Sequence, residues 1–515
     1  MRALSPRSAA LLSLPVYALL TARFNFVCDD AFISFRYAKH LAAGLGLRYN
    51  LGADPPVEGY TNFLWVLAMA AVERLGADPT VWSRVLSILC GAALIACVTS
   101  FVARRVSDSP AATLSAAMLV ATFPPIAVWS TGGLDTMPFA LAIFASFERL
   151  LGDPGHPRGA QAGTFALLAA LVRADGAYWG ALVLGVAAIT WLADRRPALL
   201  RSIGVAAAIL IAGTAIYVSW RYAYHGDWIP NTARVKVGLS ALTLTRGLDY
   251  VVSFVLTVTS VAVIAVLVPW TLSGRARAAA LQCCALAGGT VAYAVLVGGD
   301  FMAMGRLLVP AMPFFAVLGA AIVVRVAATG RPALAHAVLG ALVGLSVLPA
   351  FDVHPVPRSI REAFAFRWDL PGYVTEYGRW RAMRGNTFRW SLLGRALARH
   401  TKPGESIVMD AIGAVGYYSD LFIYDQYGLV DREAAGRETA PGRRSSGHDR
   451  LVEVEHFLPR APTYLGAHVA FGAPAAPELP PLEVPPAYRV ESIPLDPADG
   501  FPAGTTLVLI RRAEP

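Results

Sequence analysis

Apolar runs of about the length that crosses a bilayer, roughly 20 residues, recur along the first two-thirds of the chain and stop near residue 350. The pattern predicts spans near 8–27, 80–103, 110–130, 134–151, 174–193, 200–220, 248–271, 277–297, 306–326 and 333–350, with a shorter apolar stretch at 160–173 as an eleventh. The first run could imitate a signal peptide. It lacks a small-residue cleavage site before Asp29 and many spans follow it, so it reads as a transmembrane helix. "TNFLWVLAMAAVERL" (61–75) is apolar but too short to cross comfortably. Segment 31–43 mixes Phe32, Phe35 and Leu41 with Arg36, Lys39 and His40 and stops at Gly44, the pattern of a helix lying on the membrane. From about 352 charge and proline rise and the periods shorten. "SLLGRALARHT" predicts a helix and "ESIVMDAIGAVGYYSD" a strand, a turn and a helix, while "LFIYDQYG" and "TTLVLIRR" predict strands.

Composition agrees: 56% of the 515 residues are hydrophobic and 15% charged, where a soluble chain would carry about a quarter. The net charge of +9 does not indicate nucleic acid, because arginines gather in short loops between spans, as topology requires. Cys28, Cys90, Cys97, Cys283 and Cys284 have no metal-ligand spacing with His, and none lies in the tail. A disulfide framework and a structural zinc site therefore have no support.

Orientation follows from those arginines. If 61–75 does not cross, then Arg104 and Arg105, His156 and Arg158, Arg195, Arg196 and Arg201, Arg275 and Arg277, and Arg325 and Arg331 all fall on one side with Arg2 and Arg7. The opposite, outer side then receives 28–79, "STGGLDTM" (130–137), "VRADG" (172–176), 220–238, "GGDFMAMGR" (298–306) and everything after 350. Asp29, Asp30, Asp135, Arg173, Asp175, Asp227, Asn231, Asp300 and Arg306 converge there, and ionisable groups at a membrane are costly and usually functional. The expected organisation is a polytopic α-helical membrane domain over 1–351, with its first outer loop at 28–79, and an extracytoplasmic α/β domain over 352–515.

"DDAFISFRYAKHLAAGLGLRYN", "VEGYTNFLW", "GGLDTMPFA", "VRADGA", "YAYHGDWIPNT", "GGDFMAMGRLLVP" and "DAIGAVGYYSDLFIYDQYGLVD" follow one another over residues 28 to about 433. This ordered set resembles the GT-C glycosyltransferases related to the mycobacterial terminal arabinofuranosyltransferase, a group that includes membrane proteins associated with flagellar motor control. The chain departs from the group's common pattern at Asp135 and Asp175, where relatives often carry Glu; the carboxylate is kept. The resemblance implies a GT-C fold with about eleven transmembrane helices in a bacterial cytoplasmic membrane. It implies an enzyme that takes a sugar, such as the pentose arabinofuranose, from a polyprenyl-phosphate donor and transfers it with inversion to a cell-envelope glycan on the outer face. No sugar nucleotide and no nucleic acid is expected as a partner.

Such chemistry needs a base for the acceptor hydroxyl, positive charge for the departing phosphate and a pocket for a lipid. Asp29 and Asp30 suit the first, since neighbouring carboxylates at a low-dielectric interface repel and one pKa rises; the resemblance favours Asp29 as the base. The competing role is favourable placement at the start of the following helix. Arg173 and Arg306 are the candidate phosphate clamps, against internal pairing with Asp175 and Asp300. Arg36 could reach a lipid phosphate, or snorkel to ordinary headgroups. Glu58, Tyr60, Thr61, Asn62, Asp135, Asp227, Asn231 and Asp300 complete the expected substrate-binding set, with capping the alternative for Asp135. A divalent cation held by Asp29, Asp30, His225 and Asp227 stays open, on two scattered ligands beside the pair. "IGAVG" lacks a full dinucleotide fingerprint, so no Rossmann cofactor is expected. The alternatives from other classes are a transporter or flippase for a lipid-linked sugar, and a non-catalytic scaffold.

Overall fold

The computed structural model describes residues 5–236, 240–274, 276–437, 445–449, 451–472 and 484–513. Arg2, Arg275 and the last two positions of the 220–238 segment lie outside them. Among the described residues six helices are long and apolar enough to cross a bilayer, and a bent pair adds a seventh if it counts as one span. The other four expected spans appear as the helices Pro6–Arg23, Pro110–Thr122, Thr136–Leu151 and Gly159–Val172, which are shorter or less apolar. Several helices start where the sequence supplies proline after a capping side chain: Asp78 before Pro79–Arg105 and Ser109 before Pro110–Thr122.

Three predicted spans are not straight helices. The 248–271 run divides into Ala241–Thr257 and Thr259–Leu267, with a 95° bend at Val258. Thr257 and Thr259 return their hydroxyls to the carbonyls of Ser253 and Leu256, the back-bonding that bends helices. The 110–130 run breaks at Phe123, ahead of Pro124 and Pro125. The 306–326 run does not begin as a regular helix. Residues Ala303–Ala311 form tight turns with Met304 and Gly305 at positive φ, and the α-helix starts only at Met312–Ala327. Segment 61–75 gives the helix Phe63–Arg74, 12 residues or ~18 Å, which packs against Asp29–Ala42 and is too short to span.

The loops with basic residues meet at one end of the bundle. Arg104 and Arg149 both pair with Glu148, Arg196 donates to the carbonyl of Pro154, and Ser202 to that of Pro157. The opposite ends of these same helices carry Asp135, Arg173 and Asp175. With this alternation, cysteines placed at 104 and 195 are expected to react with a membrane-impermeant maleimide only after permeabilisation, and cysteines at 45, 228 and 471 in intact cells. Labelling of position 471 from the cytoplasmic side would reverse the orientation.

The tail is a long helix, Glu376–His400, and, among the described residues, five strands. These are β1 (Ser406–Met409), β2 (Phe422–Asp425), β3 (Tyr464–Phe471), β4 (Tyr488–Pro494) and β5 (Thr505–Arg512), in the order β2-β1-β3-β5-β4. β1 is parallel to β2 and β3, and β5 is antiparallel to β3 and β4. The helix Gly413–Ser419 makes the crossover between β1 and β2 and lies on Asp29–Ala42. A Cβ on Gly413 would stand 2.0 Å from the carbonyl oxygen of Asp29, and one on Gly416 1.9 Å from the Tyr49 hydroxyl. The glycines of "IGAVG" therefore serve close helix approach.

Candidate active site

A cavity of about 430 Å3 opens where the polar loops gather. Asp30, Ile33 and Ser34 of the juxtamembrane helix form one wall, continued by Tyr60, Thr61 and Asn62. Asp135 and the Arg173–Asp175 turn approach from the neighbouring helix ends, and Asp300 and Arg306 from the turn segment. Leu429, Ser446 and Gly447 bring the tail to the rim.

Asp29 and Asp30, adjacent in sequence, face different partners. Both oxygens of Asp29 accept backbone N–H bonds from the tail, from Gly413 at 3.0 Å and Ala414 at 2.8 Å. Burial, with repulsion from Asp30 and Asp410 adding to it, pushes the Asp29 carboxyl up to about 7, although those two amides pull the other way. Asp29 does not line the cavity; Asp30 does. Among the described residues no hydrogen bond or ion pair within 4 Å is directed to the Asp30 side chain. The remaining cavity carboxylates are engaged. Asp175 takes a two-pronged ion pair from Arg173, at 2.9 and 2.8 Å; burial raises its pKa, but this pair outweighs it and leaves the carboxyl below its ordinary value. Asp300 accepts from Arg306 Nε at 2.6 Å. Asp135 accepts a long contact, 3.4 Å, from Asn62, which also bonds Ser34; burial raises its pKa against the pull of Arg173 and Arg306.

The two arginines differ in what they leave free. Arg173 spends Nε and Nη2 on Asp175 and stands over the Phe139 ring. Arg306 spends Nε alone; among the described residues neither Nη makes a hydrogen bond, and its guanidinium lies 5.8 Å from the Trp129 ring centroid.

The other expected site residues turn away from the cavity. Arg36, 1% exposed, does not reach a lipid: it donates to the carbonyls of Gly416 and Leu421 and covers Tyr49. Its helix is roofed by the tail, which the local pattern could not reveal. Glu58 forms a buried 2.6 Å ion pair with Arg221, and burial raises its carboxyl to about 7 against that pairing. Asp227 pairs with Arg234. Asn231 donates to the carbonyl of Gly428 and, at 3.2 Å, to that of Leu429. His225 meets the carbonyl of Pro56 and the Tyr60 hydroxyl. Asp29, Asp30, His225 and Asp227 thus do not converge, and among the described residues no three His, Cys, Asp or Glu side chains are placed to hold a metal ion.

ArnT from Cupriavidus metallidurans, solved bound to undecaprenyl phosphate, superposes with a TM-score of 0.55 at 13% identity, over 98% of this chain and 97% of that one. The chain has the GT-C fold. The apo state of the same ArnT gives a TM-score of 0.54 at 14% identity, over 97% of each chain. The arabinofuranosyltransferase AftD from Mycobacteria gives 0.44 at 19% identity, over 82% of this chain and 32% of that one. A domain of unknown function, DUF8728, matches residues 379–505. No curated protein matches by sequence. This GT-C bundle with its apolar helices makes the chain a multi-pass membrane protein.

Within the GT-C fold some participants were not legible in the sequence. Ser34, Tyr293 and Leu429 line the cavity, but nothing in their neighbourhoods separates them from ordinary span or loop residues. Arg221 carried a signal, a lone cation inside "YVSWRYAYH", that called for a buried acid such as Glu58.

Proposed function

We propose that this protein transfers a sugar, a pentose such as arabinofuranose, from a polyprenyl-phosphate donor to a cell-envelope glycan on the outer face of the cytoplasmic membrane, with inversion. Asp30 is the base: its carboxylate removes the acceptor hydroxyl proton as that oxygen attacks the anomeric carbon. The bond from that carbon to the phosphate oxygen breaks on the opposite face, and polyprenyl phosphate leaves with the electron pair. Arg306, seconded by Arg173, stabilises the charge that builds on the departing phosphate. Tyr60, Asn62 and Asp135 contact sugar hydroxyls. Asp29, which the resemblance favoured as the base, instead anchors the tail against the helix that carries Asp30.

The observation that carries this reading is the placement of Asp30, a carboxylate with no partner among the described residues, in one cavity with the open guanidinium of Arg306. The fold adds support, since ArnT holds undecaprenyl phosphate. A transporter would want polar groups at mid-bilayer; here they sit at helix ends. The test is transfer from a synthetic short-chain polyprenyl-phosphate pentose in detergent, with a sugar nucleotide in parallel. Turnover with the lipid donor alone is expected; turnover with the nucleotide alone would remove the lipid-donor mechanism.

A further inference from the structure

Arg306 follows a strained piece of backbone. Gly298 and Gly299 both have positive φ, and the chain then turns through Met304 and Gly305, at φ 55° and 59°. Left-handed backbone at a residue with a side chain persists only where the surroundings hold it. Gly305 fits by lacking a Cβ, which would stand 2.2 Å from the Phe254 ring.

Two tail residues share the holding with Trp129, which donates to the carbonyl of Ala303, and Tyr250, whose hydroxyl accepts from the Leu307 N–H. Arg367 and Glu376 form an ion pair at 2.7 Å, each side chain 6% exposed. Arg367 Nε donates to the carbonyl of Phe301 at 2.8 Å, and Nη2 to that of Met302 at 3.1 Å. Glu376 Oε2 accepts from the Met304 N–H at 2.6 Å and from Arg367 Nη2 at 3.0 Å. These side chains bond two carbonyls and one amide of the backbone immediately ahead of Arg306. A buried ion pair is weak evidence for stability, because well-packed apolar groups often do as well. Its value here lies in the one backbone conformation it specifies.

We infer that Arg367 and Glu376 are positioning residues that hold the 301–304 backbone so that the Arg306 guanidinium faces the cavity, which ties phosphate recognition to the docked tail. The inference rests on the proposed role of Arg306.

The test uses the full chain in detergent and a short-chain polyprenyl monophosphate as the probe. Arg367→Met is expected to weaken probe binding about ten- to hundredfold, the scale of a misplaced binding group, and Arg367→Lys to recover part of the loss. Adding Arg367→Met to Arg306→Ala should cost little more than Arg306→Ala alone, because nothing remains to position. Hydrogen exchange should quicken in peptides covering 300–307 and hold elsewhere. Glu376→Gln, which keeps an acceptor for the Met304 amide, gives the same test should Arg367→Met fail to fold. Unchanged probe affinity with a loosened 300–307 segment would overturn the inference while leaving the lipid-phosphate reading in place, as would losses that add in full. Failure of the wild-type chain to bind the probe at all would overturn both.

Discussion

Asp30→Asn is expected to reduce glycosyl transfer at least about a hundredfold, at the low end of what a general base contributes, with normal protein levels in the membrane. Asparagine matches the size of aspartate and cannot take up a proton from the acceptor. No hydrogen bond among the described residues depends on the Asp30 carboxylate, so the variant should fold as the wild type does. Asp29→Asn separates the two neighbours. The amide group of asparagine would place a donor against one of the two N–H groups, of Gly413 and Ala414, that the carboxylate now accepts. The expected loss is stability of the docked tail, about 1–3 kcal/mol for a buried donor left unsatisfied, with a much smaller fall in turnover of the folded protein than in the Asp30 variant. A fall of a hundredfold or more in Asp29→Asn with melting temperature unchanged would return the base to Asp29.

The pH dependence provides a second separation. Burial raises Asp29 from 3.8 to about 7. Between those values the folded chain keeps a proton that the unfolded chain has released, so the stability this group contributes falls as pH rises across that window and levels off above it. Asp425 and Glu58 are raised to about 7 as well, so the whole-chain curve does not isolate Asp29. The difference between wild type and Asp29→Asn does. The wild-type advantage in melting temperature should be largest near pH 4 and shrink toward pH 7; an advantage that grows over that range has the wrong sign for a buried, proton-holding Asp29.

How much of this was legible in the sequence differs by level. The apolar helices were legible because hydrophobic length is a local property, and the 61–75 segment, read as too short to cross comfortably, forms a helix of 12 residues. The strands of "LFIYDQYG" and "TTLVLIRR" and the helix after "ESIVM" were legible from period and turn residues. Breaks were not: at the Val258 bend the Thr257 and Thr259 hydroxyls both bond carbonyls of the helix Ala241–Thr257, and the turns before Met312 depend on support from Trp129, Tyr250 and Glu376. The site shows the same division. That polar loops would meet at one end followed from arginine alternation. Which member of each acidic or basic pair would face the cavity did not, because the tail decides it. Asp29 and Arg36 look as suited to chemistry as Asp30 and Arg306 until the helix Gly413–Ser419 takes both.

Arg306→Ala is expected to reduce use of the lipid donor about a hundredfold or more, the scale seen when one group stabilising transition-state charge is removed, and to leave acceptor affinity within about twofold. Arg306 faces the cavity with Nη1 and Nη2 uncommitted among the described residues, while Asp300 holds Nε and so fixes the plane of the fork. A planar fork held at one nitrogen can offer two parallel bonds to phosphate oxygens. Lysine keeps the charge and loses that geometry, so Arg306→Lys should retain a measurable fraction of donor use. Arg173 is the lesser contributor because Asp175 already takes two of its nitrogens; Arg173→Ala should cost less than Arg306→Ala and also loosen the turn into the helix Gly176–Asp194. Titrating donor and acceptor separately in detergent resolves these effects. Two results would move the leaving phosphate away from Arg306: donor dependence unchanged in Arg306→Ala, or a larger donor defect in Arg173→Ala than in Arg306→Ala. The charge balance shows why so much would rest on one side chain. Among the described residues, Asp30, Asp135, Asp175 and Asp300 share the cavity with Arg173 and Arg306, so from these an entering phosphate meets more carboxylates than guanidinium groups. Removing Arg306, the fork among the described cavity residues with open nitrogens, would leave that anion facing a more acidic wall, a penalty that grows as charge develops on the leaving group.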